Sequence, residues 1–203
     1  MLRPFIRNFV VQMAGKAKMF KCFKTIMTQQ EYIQLKAFAR IDGAIIGVVW
    51  IASFALCIAG MTNPGMSLAG TFLAVASPLL AARRLTVFRD NARDGIISFR
   101  RSMAYFILIF FYASLLMALA QYVYFAYMDH GYVLTQYTNA LSMEETRQML
   151  AAAGISQTDT ENALAQMRQI SPIMMALNIM TMNITVGIVL SPLVALVTKR
   201  SGK

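Results

Sequence analysis

The chain has 203 residues, of which 58% are hydrophobic and 14% are charged, and its formal net charge is +10. A soluble domain of this size would be about a quarter charged, so the composition excludes an ordinary soluble enzyme or binding module. It also argues against nucleic acid as a partner, because the cations flank apolar segments instead of covering one polar face. With two cysteines, Cys22 and Cys57, the chain has no disulfide framework.

Residues 1–27 form a basic segment that precedes the membrane domain expected at residues 28–203. Its apolar residues recur at helical spacing, which predicts an amphipathic helix lying among membrane headgroups. They are Leu2, Phe5, Ile6, Phe9, Val10 and Met13. Lysines from Lys16 onward interrupt this pattern, so the segment lacks the continuous apolar core of a secretory signal. A translation start at a later methionine is the alternative interpretation.

Four apolar stretches are of a length that can cross a hydrocarbon core of roughly 30 Å as α-helices, although the second is slightly short. They are residues 41–60, 66–82, 102–128 and 172–198. Thr28 and Glu31 fit a capping box, so the first helix is expected to begin well before its apolar part. Asn63-Pro64-Gly65 predicts a tight turn before the second span. The predicted fold class is therefore all-α, an integral membrane bundle of four transmembrane helices.

The unequal distribution of positive charge predicts the topology. Seventeen of the nineteen Lys and Arg residues precede the first span, separate the second from the third, or follow the fourth; the exceptions are Arg147 and Arg168. Because cytoplasmic segments of membrane proteins are enriched in cations, both termini are expected in the cytoplasm and residues 129–171 outside it. Tyrosines that cluster at the end of the third span support this orientation, because tyrosine prefers the membrane interface.

The segment at residues 129–171 is predicted to form an extracytoplasmic hairpin of two short helices. Two capping boxes mark the expected helix starts: Ser142-Met143-Glu144-Glu145 and Thr158-Asp159-Thr160-Glu161. Gly154 is expected to end the first helix, and the second is expected to end before Pro172.

Small residues recur every four positions in the helices that contain the first and fourth spans. In lipid, such residues let two helix backbones approach closely. The candidate packing positions are Ala39, Gly43, Gly47, Gly187 and Ser191. Packing within the bundle is the favoured interpretation and a dimer interface is the alternative, so the oligomeric state stays open.

Polar and ionisable side chains are rare in the spans. Asn178, Thr181 and Thr185 follow helical spacing and form a candidate polar intramembrane face. Asp42 lies at the cytoplasmic edge of the first span, where an ion pair with Arg83 or Arg84 is expected. Four arginines next to the spans are candidate contacts for anionic lipid headgroups: Arg83, Arg84, Arg100 and Arg101.

Reactive side chains are too few for an evident catalytic site. His130 is the only histidine, and the sequence contains no phosphate-binding loop, nucleophile elbow or metalloprotease motif. We therefore expect no catalytic residues, no metal and no cofactor, and we interpret the protein as a non-enzyme.

Residues 88–99 read Phe-Arg-Asp-Asn-Ala-Arg-Asp-Gly-Ile-Ile-Ser-Phe and lead directly into the third span. This segment resembles a recurrent element of a family of small four-helix bacterial inner-membrane proteins that is known only as a domain of unknown function. In that family a Tyr- or Phe-Arg stretch precedes Gly-x-Ile-(Ser or Thr)-Phe. The resemblance covers about residues 28–200 and implies a location in the bacterial inner (cytoplasmic) membrane. It also suggests a membrane-linked glycosyltransferase as a partner, and it supplies no catalytic residues.

Two functions are expected from these observations. The first is a non-catalytic accessory or scaffold protein for another envelope protein, because reactive groups are scarce and helix-packing faces are frequent. The second is a small-molecule transporter or channel subunit whose path is lined by the face at Asn178, Thr181 and Thr185. Membrane lipids with anionic headgroups are expected partners in both cases.

Overall fold

The structure, a computed structural model, describes residues 28–200. Within this range it contains seven α-helices and no β-sheet. The helices are α1 (Gln29–Ala59), α2 (Pro64–Ala92), α3 (Phe99–Tyr127), α4 (Tyr132–Ser142), α5 (Glu144–Ala152), α6 (Gln157–Arg168) and α7 (Pro172–Thr198). The amphipathic segment predicted at residues 1–27 lies outside the described residues.

Four of these helices, α1, α2, α3 and α7, are long and apolar enough to cross a membrane. Each coincides with one of the apolar stretches predicted from the sequence, so the all-α class and four apolar helices of membrane-spanning length are confirmed. Helices α1 and α2 both continue beyond their apolar parts into polar sequence that contains neither glycine nor proline. Both therefore carry a polar extension at the same end of the bundle.

The capping box predicted at the start of α1 is confirmed. The Thr28 hydroxyl accepts a hydrogen bond from the Glu31 backbone N–H, and the Glu31 carboxylate accepts one from the Thr28 N–H. At the other end, α1 turns directly into α2. A Cβ atom at Gly60 would lie 2.5 Å from the Cα atom of Ser67, so only glycine fits this close approach. The first two spans thus form the tight hairpin that Asn63-Pro64-Gly65 predicts.

The long helices pack in the order α2, α1, α3, α7. Helix α3 lies between α1 and α7 and is the most buried of the four, whereas α2 touches α3 and α7 over only a few residues. We call the end of the bundle that holds Glu31, Arg93 and Arg101 the basic end. The opposite end, which holds the α1–α2 turn and helices α4 to α6, is the far end.

Glycines allow α3 to approach both of its neighbours. A Cβ atom at Gly43 of α1 would lie 2.6 Å from the Tyr112 Cβ of α3. A Cβ atom at Gly187 of α7 would lie 2.6 Å from the Phe110 Cβ of α3. Since real Cβ atoms do not approach this closely, both helix pairs depend on the absence of a side chain at these positions.

The two Ser-Pro pairs, at residues 77–78 of α2 and 191–192 of α7, share one local arrangement. Proline has no N–H, so the carbonyl group four residues before it loses its helical hydrogen bond. The neighbouring serine hydroxyls donate to these two carbonyls: Ser77 to Ala74 at 2.7 Å and Ser191 to Ile188 at 2.8 Å. Both serines are buried, so the hydroxyls satisfy backbone groups that water cannot reach.

Helices α4, α5 and α6 form a segment at the far end that we call the cap. The prediction of two helices here was wrong, because three are present. Ser142 is the last residue of α4 and its hydroxyl donates to the Asn139 carbonyl, while α5 starts at Glu144 without a side-chain cap. Helix α4 was not predicted because the tyrosines after the third span were interpreted only as a marker of the membrane interface, and two of them, Tyr132 and Tyr137, lie in α4.

Helix α6 starts from a different capping box than the one predicted. Ser156 and Asp159 form it, not Thr158 and Glu161. The Ser156 hydroxyl and backbone N–H donate to the Asp159 carboxylate at 2.7 and 3.2 Å, and they hold the pKa of that carboxyl below its ordinary value. Gly154, with a φ of +78°, ends the preceding helix as predicted.

Candidate functional site

Asp42 of α1 is the one charged residue that is buried among residues 28–200, with 3% of its surface exposed. Its carboxylate accepts a hydrogen bond from Arg84 Nε of α2 at 2.7 Å and another from the Tyr105 hydroxyl of α3 at 2.5 Å. Phe88 stacks on the Tyr105 ring with 4.2 Å between the ring centroids. The predicted ion pair is thus present with Arg84, and it is part of a buried centre that joins three helices.

Glu31 joins the same three helices at the basic end. Its two carboxylate oxygens accept hydrogen bonds from Arg93 at 3.0 Å and from Arg101 at 2.7 Å. Arg93 directly follows α2, and Arg101 lies in the first turn of α3. One carboxylate therefore holds the start of α1, the end of α2 and the start of α3 together.

The end of α7 is fastened to the same region. Arg89 of α2 donates from Nη1 to the Thr198 carbonyl at 3.0 Å, and its Nε atom binds Asp90 at 2.7 Å. Ile97, which is 1% exposed, exchanges two backbone hydrogen bonds with Arg200, at 3.1 and 3.0 Å. Helix α7 is therefore bound to the α2–α3 loop by backbone and side-chain contacts.

Residues 88–99, which carry the family resemblance, make most of these contacts, and we call them the junction. Asp94 and Gly95 have φ angles of +52° and +76°, and the left-handed conformation at Gly95 lets the chain reverse after α2. Ser98 occupies the N-cap position of α3 without a side-chain capping bond. Because Arg89 and Arg93 both bind other parts of the chain, the junction serves to hold helices together.

A groove opens between α2 and α7, with α1 and α3 as its floor, and has a volume of about 300 Å³. Trp50 and Phe110 form part of its wall, with rings that meet edge to face at 5.2 Å. The Trp50 Nε1 atom donates to the Ser77 hydroxyl at 2.7 Å. Asn183 also lines the groove, and its amide forms no hydrogen bond within residues 28–200. The volume is at the lower end of the range of about 300–1,000 Å³ that is usual for small-molecule sites.

A second cavity, of about 360 Å³, lies among the three helices of the cap. Leu141, Leu150, Ile155 and Leu164 contribute apolar surface to it, and Arg147 and Glu161 contribute charge. Neither α5 nor α6 contains a buried residue. The cap helices therefore surround an open space without closing a core over it.

The structure places the predicted polar face of α7 outside the groove. Asn178 and Thr185 are exposed, Thr181 is partly buried, and the Thr185 hydroxyl donates to the Thr181 carbonyl at 2.8 Å. None of these three residues lines the groove, whereas Asn183 does. The predicted polar face and the groove are therefore different parts of the α7 surface.

The arginines predicted to contact headgroups fall into two pairs. Arg84 and Arg101 bind Asp42 and Glu31 inside the protein. Arg83 and Arg100 are exposed and form no ion pair within the described part of the chain. The five predicted packing positions are all buried inside the chain: Ala39, Gly43, Gly47, Gly187 and Ser191.

The metal-ligating side chains of residues 28–200 are dispersed. No group of three or more His, Cys, Asp or Glu side chains in this range is placed to hold a metal ion. Cys57, which lines the groove, is a free thiol.

Residues 42–200 match the family described as "Protein of unknown function (DUF4199)". The chain belongs to this family. The resemblance stated from residues 88–99 is thereby confirmed, and the DUF4199 match includes Asp42, Arg84, Tyr105 and the junction. It begins after Glu31, so this connection to Arg93 and Arg101 is outside the matched range. The searches of curated proteins and of solved structures gave no match.

The second role of Glu31 and the role of Tyr105 were not predicted from the sequence. Glu31 was recognised only as a capping residue, although its side chain caps α1 and binds two arginines at once. Tyr105 is a single hydroxyl within the apolar run 103–111, and that isolation was a usable signal, because a buried tyrosine hydroxyl needs a hydrogen-bond partner. Its partner was not predictable without the helix packing.

Proposed function

We propose that this membrane protein is a non-catalytic accessory or scaffold protein that serves another protein of the bacterial envelope. It resides in the bacterial inner (cytoplasmic) membrane with its basic end in the cytoplasm and its cap on the extracytoplasmic side. A membrane-linked glycosyltransferase is the kind of partner that the family resemblance suggests.

The distribution of exposed charge supports this orientation. Arg40, Arg83 and Arg100 are exposed at the basic end, whereas the cap region contains only two arginines, Arg147 and Arg168. Cations are retained on the cytoplasmic side of membrane proteins, so the basic end is the expected cytoplasmic end.

The observation that carries the proposed role is the contrast between the bundle and the cap. In the bundle, the buried Asp42 binds Arg84 and Tyr105, so this ionisable group is used to join helices. In the cap, α5 and α6 have no buried residue and border an open cavity. Since short helices depend on tertiary packing for their stability, the cap is the part of the chain with most to gain from a partner.

The test is purification of the tagged full chain from its native membranes after brief crosslinking in intact cells. We expect one envelope protein to co-purify repeatedly and in constant proportion. An unrelated four-span protein with the same tag and expression level is the control. Repeated recovery of the chain by itself, or of the same proteins with the control, would overturn the accessory role.

A transporter or channel subunit is the second candidate, and the groove favours it. Asn183 brings an unpaired amide into a space between α2 and α7, as a polar path through the bundle requires. In a cysteine-free protein, Asn183→Cys should then react with a water-soluble maleimide. Labelling of Asn183→Cys with no labelling of Val189→Cys, an exposed position on the same helix, would support a water-filled path. No reaction at Asn183→Cys from either side would exclude it.

A further inference from the structure

The cap combines an open apolar cavity with an excess of carboxylates, and this combination defines the chemistry of what binds there. We propose that the cap cavity is the docking site for a basic amphipathic segment of the partner protein. The inference rests on the accessory role proposed above, and it adds the location of the contact and the chemistry of the partner.

The apolar half of the site comes from all three cap helices and the loop between α5 and α6. Leu141 of α4, Leu150 of α5 and Leu164 of α6 face the cavity together with Ile155, which is 42% exposed. A space of about 360 Å³ accepts one or two large side chains of an inserted segment. Burying one such side chain removes apolar surface from water and so anchors the segment.

The charged half of the site is the net negative charge of the cap region, and Glu161 and Arg147 are the charged residues that line the cavity itself. Residues 129–171 contain five carboxylates and two arginines. The carboxylates are Asp129, Glu144, Glu145, Asp159 and Glu161, and the arginines are Arg147 and Arg168. The four ion pairs of the described residues all lie at the basic end. In the cap, Glu144 and Glu161 bind only the neutral side chains of Gln148 and Gln157. Neither carboxylate is in an ion pair with another described residue, and carboxylates outnumber arginines in this region by five to two, so the cap attracts a segment that carries Lys or Arg.

Charge also disfavours two other occupants. An anionic lipid surface repels an acidic cap, so the cavity does not face headgroups of that kind. A second copy of this chain would bring an equally acidic cap against the first, and like charges brought together at an interface repel each other. A basic polypeptide segment remains, with apolar side chains for the cavity and cations for the carboxylates.

The test uses the full chain in nanodiscs of phosphatidylcholine, which carries no net charge. The probe is a fluorescent 18-residue helical peptide with leucines on one face and lysines on the other, and its twin carries glutamates in place of the lysines. Fluorescence anisotropy reports binding, and empty nanodiscs give the background. We expect the lysine peptide to bind at least tenfold more tightly than the glutamate peptide. Equal binding of the two peptides, or no binding above background, would overturn the inference.

Two variants locate the contact. The double variant Leu150→Ser/Leu164→Ser should weaken binding of the lysine peptide at least tenfold. Met149→Ser is the matched control, because Met149 lies on α5 beside Leu150 but is 65% exposed and does not line the cavity. The control should bind as the unmodified chain does. Unchanged binding in the double variant, with its helix content intact, would place the peptide elsewhere and overturn the inference.

If the cap helices of the double variant unfold, Glu161→Lys takes its place, because it reverses a charge at the cavity without removing apolar surface. It should lower the preference for the lysine peptide at least threefold, and an unchanged preference would overturn the inference. The same variants applied to the purification from native membranes separate the two proposals. A partner that is retained by the cap variants contradicts this docking site and leaves the accessory role intact. A chain that never retains a partner contradicts the accessory role itself.

Discussion

The Asp42 carboxylate on α1 and the Arg84 guanidinium on α2 meet at 2.7 Å, with the aspartate almost fully buried and about a third of the arginine side chain exposed. The pair sits where the apolar part of each helix gives way to its polar extension. This charged contact therefore helps to fix the two spans of the first hairpin at one depth.

Removing the Asp42 carboxylate should destabilise the folded protein. We expect Asp42→Ala to lower the free energy of unfolding by about 1–3 kcal/mol, because it leaves the Arg84 and Tyr105 donors without their acceptor. Unfolding in mixed micelles, followed by circular dichroism, measures the change. Arg83→Ala, an exposed neighbour, should cost less than about 0.5 kcal/mol. Equal effects of the two substitutions would contradict the role of Asp42.

Adding one methyl group between α3 and α7 should separate them. Gly187→Ala would place a Cβ atom 2.6 Å from Phe110 Cβ, so we expect a loss of about 1–3 kcal/mol in the free energy of unfolding. Val189→Ile adds one carbon at an exposed position on the same helix and should be nearly neutral. The same micelle titration compares them, and a neutral Gly187→Ala would show that the close packing is not required.

A double-mutant cycle tests the Ser-Pro arrangement in α7. Ser191→Ala removes the donor for the Ile188 carbonyl and should cost about 0.5–2 kcal/mol. In a Pro192→Ala background the backbone N–H of residue 192 supplies that donor, so the same serine substitution should cost much less. The measured quantity is the coupling between the two substitutions. Strictly additive effects would show that the serine does not compensate for the proline.

Loss of the Glu31 carboxylate should loosen the junction. Glu31→Gln weakens the contacts to Arg93 and Arg101, so backbone amides of residues 88–99 should exchange with deuterium at least threefold faster. Mass spectrometry of the full chain in detergent measures this exchange. Glu145→Gln, an exposed change in the cap, should leave the junction unaffected. If Glu31→Gln leaves it unaffected too, the arginines are held by other contacts.

The proposed orientation predicts which positions a membrane-impermeant maleimide can reach. In a cysteine-free protein in intact cells, Tyr137→Cys in the cap should be labelled, because Tyr137 is 47% exposed. Arg83→Cys at the basic end should be labelled only after the cells are permeabilised. The reverse pattern would place the basic end outside the cytoplasm.

The four spans and the first turn were predictable from the sequence because length and hydropathy decide them locally. The choice of Arg84 over Arg83 was not predictable from composition alone. Arg84 follows Ser77 and Ala81 along the buried face of α2 and precedes Phe88 on it, whereas Arg83 lies to the side. Knowing which face of α2 is buried requires knowing that α1 packs on it, and a helix that is apolar on all sides does not reveal this.

In the cap, the local sequence is compatible with more than one helix start. Two overlapping sequences, starting at Ser156 and at Thr158, both fit a capping box, and only the fold decides between them. Spacing grouped Asn178 with Thr181 and Thr185 but did not tell which face of α7 meets α2, so it did not locate the groove. Predictions from spacing identify residues that share a face and leave open what that face touches.

The pairing of Ile97 with Arg200 has a consequence for biosynthesis. The two residues are separated by about a hundred positions, and translation proceeds at roughly 5–20 residues per second. Roughly 5 to 20 seconds therefore pass between the synthesis of Ile97 and the synthesis of Arg200, its hydrogen-bond partner. During that interval α1, α2 and α3 can already be assembled, and the arrival of α7 is the step that completes the inserted fold.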